Sequence, residues 1–549
     1  MRNTRILLLL TALLPLILPD LSGQKPGLNS ITIPELNAHI SFLASDELKG
    51  RETGEPGLQI AARYLATQAV LTGLKSLDED GDYLQYYTIV KKEYDLDKSA
   101  VTITGRDGKT DRLKDEFFLF PRTDEKNIHL EGEVVFAGYG IHAEELGYDD
   151  FKDVDIRDKI VLIMTRSPMD EKGERYKLDD ARWQSEENFQ HKVAYIYSMG
   201  ARAILRVYDP KSGIRSISDI DPQLSNYLRS SVELKEDMES RPENPDMMKI
   251  ILIHRHIADK LLEGSGTYLP ELQMKIDNDL TPRSFLIKDK KIQFDLHIAE
   301  NEIAVPNVFA IIEGRDPVLK EEMVLYTAHM DHLGDADGGK AIFNGADDNA
   351  SGSVALLEIA EAFMSGQSRP ERSVGFLWIS GSEYGLMGSD YYSRYPVHKL
   401  ERTAAVINLD MIARSRTEAD SAGHRHFNLT IVGKDSVQVI GGLQSSVLMD
   451  LNRQVLEEMN MTGIYTYNSP DHPDRTLYRS DHYSFMKRDI PSLFYSTGIH
   501  HDYQATDDVV ENLDFETFLR MTRLSFLAGY RVANFRGPIK VDHPFSEWE

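Results

Sequence analysis

The apolar positions of this chain change period along its length. Between Pro34 and Leu74 they recur at helical spacing. Leu36, Ile40 and Leu43 share one face behind Pro34, which suits a first helical turn. Gly50-Arg51-Glu52-Thr53-Gly54 reads as a turn, and Leu58, Ala61, Ala62, Tyr64 and Leu65 mark a second helix. From about 128 to 298 the apolar runs are short: Val134-Val135-Phe136-Ala137, Ile160-Val161-Leu162-Ile163-Met164 and Ala203-Ile204-Leu205-Arg206-Val207. Asp209-Pro210 and Asp221-Pro222 punctuate this stretch as loops. It reads as a separate unit without a cluster of metal-ligating residues. Beyond Val305 the pattern becomes regular. Met323 to Ala328 is a buried-type strand ending at His329, and Ser351 to Met364 is a helix carrying Val354, Leu357, Ile359, Ala360 and Phe363. Val374 to Ile379 leads to Glu383, Ala404 to Ile407 to Asp410, and Ser492 to Tyr495 to His500-His501. Such alternation predicts an α/β fold, with a mostly parallel sheet covered on both faces.

Composition narrows the possibilities. At 549 residues the chain is long for one domain, and 41% hydrophobic residues are ample for packed cores. A net charge of -26 argues against a nucleic-acid partner and against a polybasic membrane contact. Arg2 and Arg5 precede an apolar run from Ile6 to about Leu18, and Leu21-Ser22-Gly23 follows. That is the pattern of an export signal cleaved near Gly23, so a periplasmic or secreted protein without a stable membrane span is expected. Pro15 and Pro19 and the short run disfavour an anchor. With no cysteine, any metal must be held by His, Asp and Glu. Nothing in the sequence encodes an oligomeric state.

The chemistry concentrates in two segments, His329-Met330-Asp331-His332 and Asn344 to Gly352 with its Asp347-Asp348 pair. A lone His-x-Asp is more often a histidine satisfied by hydrogen bonds, and paired acids often cap a helix. Capping does not explain acids that follow several different strands. His329, Glu383 and Asp410 each follow one, which gathers them at one sheet edge, where α/β sites form. Imidazole with clustered carboxylates suits zinc. Asp331 is placed to accept from the far ring nitrogen of His329 and fix its tautomer.

Five segments carry a family resemblance: Leu325 to Gly334, Gly345 to Gly352, Glu383-Tyr384-Gly385-Leu386-Met387-Gly388-Ser389, Asn408-Leu409-Asp410-Met411 and Ser480-Asp481-His482-Tyr483. Together they resemble the co-catalytic zinc aminopeptidases, whose relatives include glutamate carboxypeptidases and glutaminyl cyclases. Leu43 to Arg51 is similar to the start of bacterial exported members. Val135 to Ile141 and Asp158 to Leu162 resemble a protease-associated domain. The resemblance implies a twisted, mostly parallel sheet sandwiched by helices, with a β-rich inserted domain. The expected division is a signal peptide over 1–23, peptidase segments over 24–127 and 299–536, the insert over 128–298 and a tail over 537–549. It also implies two zinc ions bridged by Asp348, with His329 and Asp410 completing one site and Glu383 ligating the other. A cis peptide is expected after Asp348, and peptides as substrates.

The resemblance breaks at two places. Family members carry Glu-Glu where this chain has Ser382-Glu383, and the first glutamate is their general base. Serine cannot hold that proton, and a lost base costs roughly 10²- to 10⁴-fold in rate. The last histidine ligand of the family falls at Gln504, or, in an alternative alignment, is deleted with Asp507 matched instead. His500 and His501 are wrongly spaced to replace it, and His482 is expected beside the ligands rather than among them. Two functions therefore compete. One is a zinc exopeptidase holding one or two ions, with Glu383 free to act as the base if the second ion is absent. The other is a weak or inactive relative that binds peptides. Glutaminyl cyclisation needs the same missing carboxylate.

Overall fold

A computed structural model describes residues 24–76, 81–106, 108–113, 117–119, 126–178, 180–184, 189–216, 219, 230–240, 249–336, 338–366, 368–424 and 427–545. The expected export signal, the Asp221-Pro222 loop and the end of the expected tail lie outside them. Two compact units form, one from residues up to Tyr87 and from Ala304 onward, the other from Thr88 to Ile303.

In the first unit, neighbouring strands run in the order Thr462–Ile464, Ser436–Gly441, Ser492–Ser496, Thr403–Leu409, Met323–His329 and Ser373–Ile379, and the end of the long strand Phe285–Ile312 closes the series. Met323–His329 pairs in parallel with strands on both sides, and Thr403–Leu409 pairs in parallel with Ser492–Ser496. Only Ser436–Gly441 against Ser492–Ser496 and the long strand against Ser373–Ile379 are antiparallel. Every residue of Met323–His329 and Ser373–Ile379 is buried, as continuous apolar runs predict for strands covered on both faces. Alternation divides their side chains. Met323, Leu325, Leu377 and Ile379 pack with Tyr392 and Phe485 of two helices on one face. On the other, Tyr326 donates to Ser525 O at 2.9 Å and Trp378 to Ser353 O at 2.9 Å, tying the sheet to helices Phe515–Asn534 and Gly352–Met364. The predicted helices near the start are observed as Ile33–Leu43 and Pro56–Leu71.

The second unit has its own core, with Phe136, Leu162, Leu205, Ile251 and Phe294 among its buried residues. Asn127–Phe136, Ile160–Met164, Ala203–Val207 and Lys249–Ile253 are successive parallel neighbours. Helices Phe189–Ser198, Arg255–Leu262 and Leu269–Asp279 accompany them, so this unit is α/β in character rather than simply β-rich. Its limits also differ from the expected 128 and 298. Ala100–Gly105 pairs with residues 290–295, and residues 89–93 pair with Ser230–Leu234, which draws the chain from Thr88 onward into the unit. His142, Glu144 and Asp149 bring ligand atoms within 4.8 Å of one another here. Sequence spacing concealed that grouping, because a turn separates His142 from Asp149.

Candidate metal centre

Three adjacent parallel strands end together. His329 closes its strand, Asp410 follows Leu409, and Glu383 lies four residues beyond Ile379. The register aligns His329 with Ile379 and Thr327 with Asn408, so the three side chains leave the same edge. Asp347 and Asp348 arrive from the segment Ala346–Ser351, which precedes helix Gly352–Met364. Gly345 has φ 56°, and a Cβ there would meet Asp348 O at 2.2 Å and the His332 ring at 2.5 Å. Only glycine admits so close an approach. The Asp348–Asn349 peptide is cis, as the resemblance implied.

His329 Nε2 lies 3.4 Å from Asp348 Oδ1 and 3.5 Å from Asp410 Oδ1. Ligand atoms of His329, Asp348 and Glu383 fall within 4.8 Å of one another. Asp410 Oδ1 is buried without a hydrogen-bond partner, while its Oδ2 accepts from Ser480 Oγ at 2.6 Å. An unpartnered buried carboxylate oxygen 3.5 Å from an imidazole suits a bound cation, and the donors are those zinc takes. Burial alone would depress the His329 pKa. The carboxylates of Asp410, Asp331 and Asp348 outweigh it and hold the pKa well above the ordinary value. Burial, then the charges of Asp331 and Asp410, push Glu383 up to about 7 although His329 and Arg51 oppose it.

Several supports were not foreseen. Arg51 is 1% exposed and ties together the loops that carry His329 and Asp348. Its Nε donates to Met330 O at 2.8 Å, Nη1 to Leu43 O at 2.5 Å and Asn344 O at 2.6 Å, and Nη2 to Gly345 O at 3.0 Å. Asp508 accepts the backbone amides of Asp347 at 2.9 Å and Asp348 at 3.0 Å. His332 is fully buried, with Nδ1 3.0 Å from Glu383 Oε1. Only the motif spacing hinted at any of these, because each partner is distant in sequence.

Other expectations need correction. Asp331 does not take the His329 ring proton through its carboxylate. His329 Nδ1 is 3.1 Å from the Asp331 carbonyl oxygen and 3.7 Å from its carboxylate. That carboxylate instead accepts from Thr53 Oγ1 at 2.8 Å and from the amides of Ser382 and Glu383 at 3.3 Å, so it shapes the Ser382-Glu383 turn. Gln504 sits with φ 53°, and its neighbour Tyr503 lines the cavity instead. His500 Nε2 is 3.3 Å from Asp347 and His501 Nδ1 is 2.9 Å from Asp420, so both imidazoles are engaged elsewhere. Ser382 lines the small cavity of about 90 Å³ with His329, Asp348, Glu383 and Asp410.

Residues 307–528 match Peptidase family M28. That segment, about 40% of the chain, is similar to this family. It is 27% identical over 244 residues to a probable leucine aminopeptidase of Arthroderma otae, covering 43% of this chain and 59% of the relative. It is 30% identical over 221 residues to one of Arthroderma benhamiae, covering 38% and 52%. The chain thus spans about half the length of the curated relatives it matches. Two solved structures share the fold at 15% identity. An aminopeptidase from Aneurinibacillus sp. strain AM-1 gives a TM-score of 0.55, covering 95% of this chain and 98% of that one. A zinc aminopeptidase from Bacillus subtilis gives 0.52, covering 94% and 99%.

Proposed function

We propose that this chain is an exported zinc exopeptidase of the M28 type, an aminopeptidase acting on peptides with one tightly held metal ion. The observation that carries the proposal is the convergence of His329, Asp348 and Asp410, with the unpartnered Asp410 Oδ1 facing the imidazole. Those three residues would hold the ion. Zinc in such a donor set supplies an acidified water and an electrophile for a carbonyl oxygen. The chain supplies the rest. Glu383 faces the same cavity, and Ser382 beside it offers no acid–base group. Glu383 is therefore the carboxylate that takes the proton from attacking water and returns it to the leaving nitrogen. His332, 3.0 Å away, orients it. His500 and His501 pair with Asp347 and Asp420 rather than replacing the family's last ligand, which supports a single ion.

The test is hydrolysis of a panel of aminoacyl amides with metal content measured in parallel. Turnover abolished by a chelator, about one zinc per chain, and a Glu383→Gln variant that keeps its metal but loses roughly 10²- to 10⁴-fold in rate are expected. Zinc without turnover would favour the peptide-binding alternative that Ser382 motivates. Two tightly held ions would return Glu383 to ligation.

A further inference from the structure

The cavity at the candidate metal centre is lined by two chemically different sets of residues. One includes His329, Asp348, Glu383 and Asp410. The other includes Thr476, Phe494, Ile499, Tyr503 and a single full cation, Arg479. The chain at Arg479 is fixed against the metal end, because Ser480 Oγ donates to Asp410 Oδ2 at 2.6 Å and accepts from Asn408 Nδ2 at 2.7 Å. The Arg479 guanidinium stays exposed, 5.6 Å from the centroid of the Phe427 ring. Among the described residues it has no carboxylate within ion-pair distance, in a chain with 88 acidic and 62 basic residues. In the same unit Arg414 does pair with Asp502 at 2.8 Å and Arg372 with Glu322 at 2.8 Å. A guanidinium offers a planar fork of donors matched to a carboxylate, and stacking against an aromatic ring restricts the fork without consuming those donors.

We propose that Arg479 is a specificity residue that receives a carboxylate on the leaving-group side of the scissile bond. The preferred substrates are then short peptides whose α-carboxylate lies next to the cleaved bond, or peptides with an acidic side chain there. The proposal rests on the peptidase function above and names its substrate class. It also accounts for the asymmetry of the cavity. The cavity lining otherwise offers carboxylates and neutral groups, so Arg479 supplies its one fixed positive charge.

The experiment uses the full-length, zinc-loaded protein and its Arg479→Met and Arg479→Lys variants. Four substrates are compared by kcat/KM: Leu-Gly, Leu-Gly-amide, Leu-Glu-amide and Leu-Gln-amide. The wild type is expected to favour Leu-Gly over its amide by roughly 10- to 100-fold, the range of one charge-assisted hydrogen bond, mainly through KM. In Arg479→Met that ratio falls to within about threefold of one, and Arg479→Lys, a point charge without the fork, lies between. If Leu-Glu-amide over Leu-Gln-amide shows the preference instead, the carboxylate is that of a side chain. Equal rates on both pairs in the wild type, or a preference that survives in Arg479→Met, overturn the proposal while leaving the peptidase function intact. If the wild type cleaves none of the four, the peptidase function fails. Calorimetric binding of Leu-Gly against Leu-Gly-amide then decides Arg479. A free-acid preference lost in Arg479→Met supports it, and equal affinity overturns it.

Discussion

Arg51 gives the sharpest test of how the metal centre is built. It lies 278 residues before His329, outside the segment that matches the family, and its guanidinium holds four backbone carbonyls. Three of these, from Met330, Asn344 and Gly345, belong to the two loops that carry His329 and Asp348. In Arg51→Met all four acceptors lose the guanidinium, and Gly345 O keeps the Ala350 amide at 3.2 Å. Each such loss costs about 1–3 kcal/mol, but the losses are not additive, and breaking one buried ionic group typically costs about 3–5 kcal/mol. The denaturant midpoint should fall accordingly. Metal affinity separates two opposing effects. Removing a cation near a divalent ion strengthens binding, whereas misplacing the ligands weakens it. Arg51→Lys retains the charge but cannot span the carbonyls, so it reads placement alone. Supporting residues behind metal ligands are worth roughly 10- to 100-fold in affinity, and that loss is expected for Arg51→Lys in a zinc competition titration. Burial pulls the Arg51 pKa down to about 10 against the charges of Asp508, Asp331, Asp348 and Glu383, so it stays protonated at neutral pH and the comparison holds. An Arg51→Lys protein that binds zinc as tightly as the wild type would show that Arg51 does not position the ligands.

Three further outcomes are expected. Gly529→Ala places a Cβ 1.7 Å from the Tyr326 hydroxyl and should cost at least the 1–3 kcal/mol typical of overpacking, read as a lower melting temperature or loss of soluble protein. Glu358, on helix Gly352–Met364, has its pKa raised from 4.5 to about 8 by burial and by repulsion from Glu35 and Glu361, with His39 Nε2 3.8 Å away. The native carboxyl keeps its proton where the unfolded one has ionised, so stability falls as pH rises from about 4.5 to about 8, and Glu358→Gln should flatten that slope in thermal melts. Asp508→Asn replaces one acceptor of the Asp347 and Asp348 amides with a donor; a loss of about 1.5–3 kcal/mol in urea unfolding is expected, and an unchanged midpoint would show that those bonds contribute nothing.

The sequence made legible whatever is written locally. Continuous apolar runs marked Met323–His329, Ser373–Ile379 and Thr403–Leu409, and their shared edge followed from alternation with helices. What escaped depends on distant partners. Arg51 and Asp508 bind backbone atoms, which have no sequence signature. The boundary at Thr88 was hidden because strand Leu84–Tyr94 runs across it without a break in pattern. At Tyr503 and Gln504 the missing histidine was visible, but not that Tyr503 lines the cavity, since nothing local in the sequence marks which side chain of that loop turns inward.

The proposed centre is a single zinc ion held by His329, Asp348 and Asp410. Anomalous diffraction at the zinc edge from crystals of the full-length protein tests it most directly. One peak about 2.0–2.1 Å from His329 Nε2, with carboxylate oxygens of both aspartates at about 2.0–2.2 Å, is the predicted result. No peak there, a second equal peak bound by Glu383, or zinc seated only beside His142, Glu144 and Asp149 would contradict it.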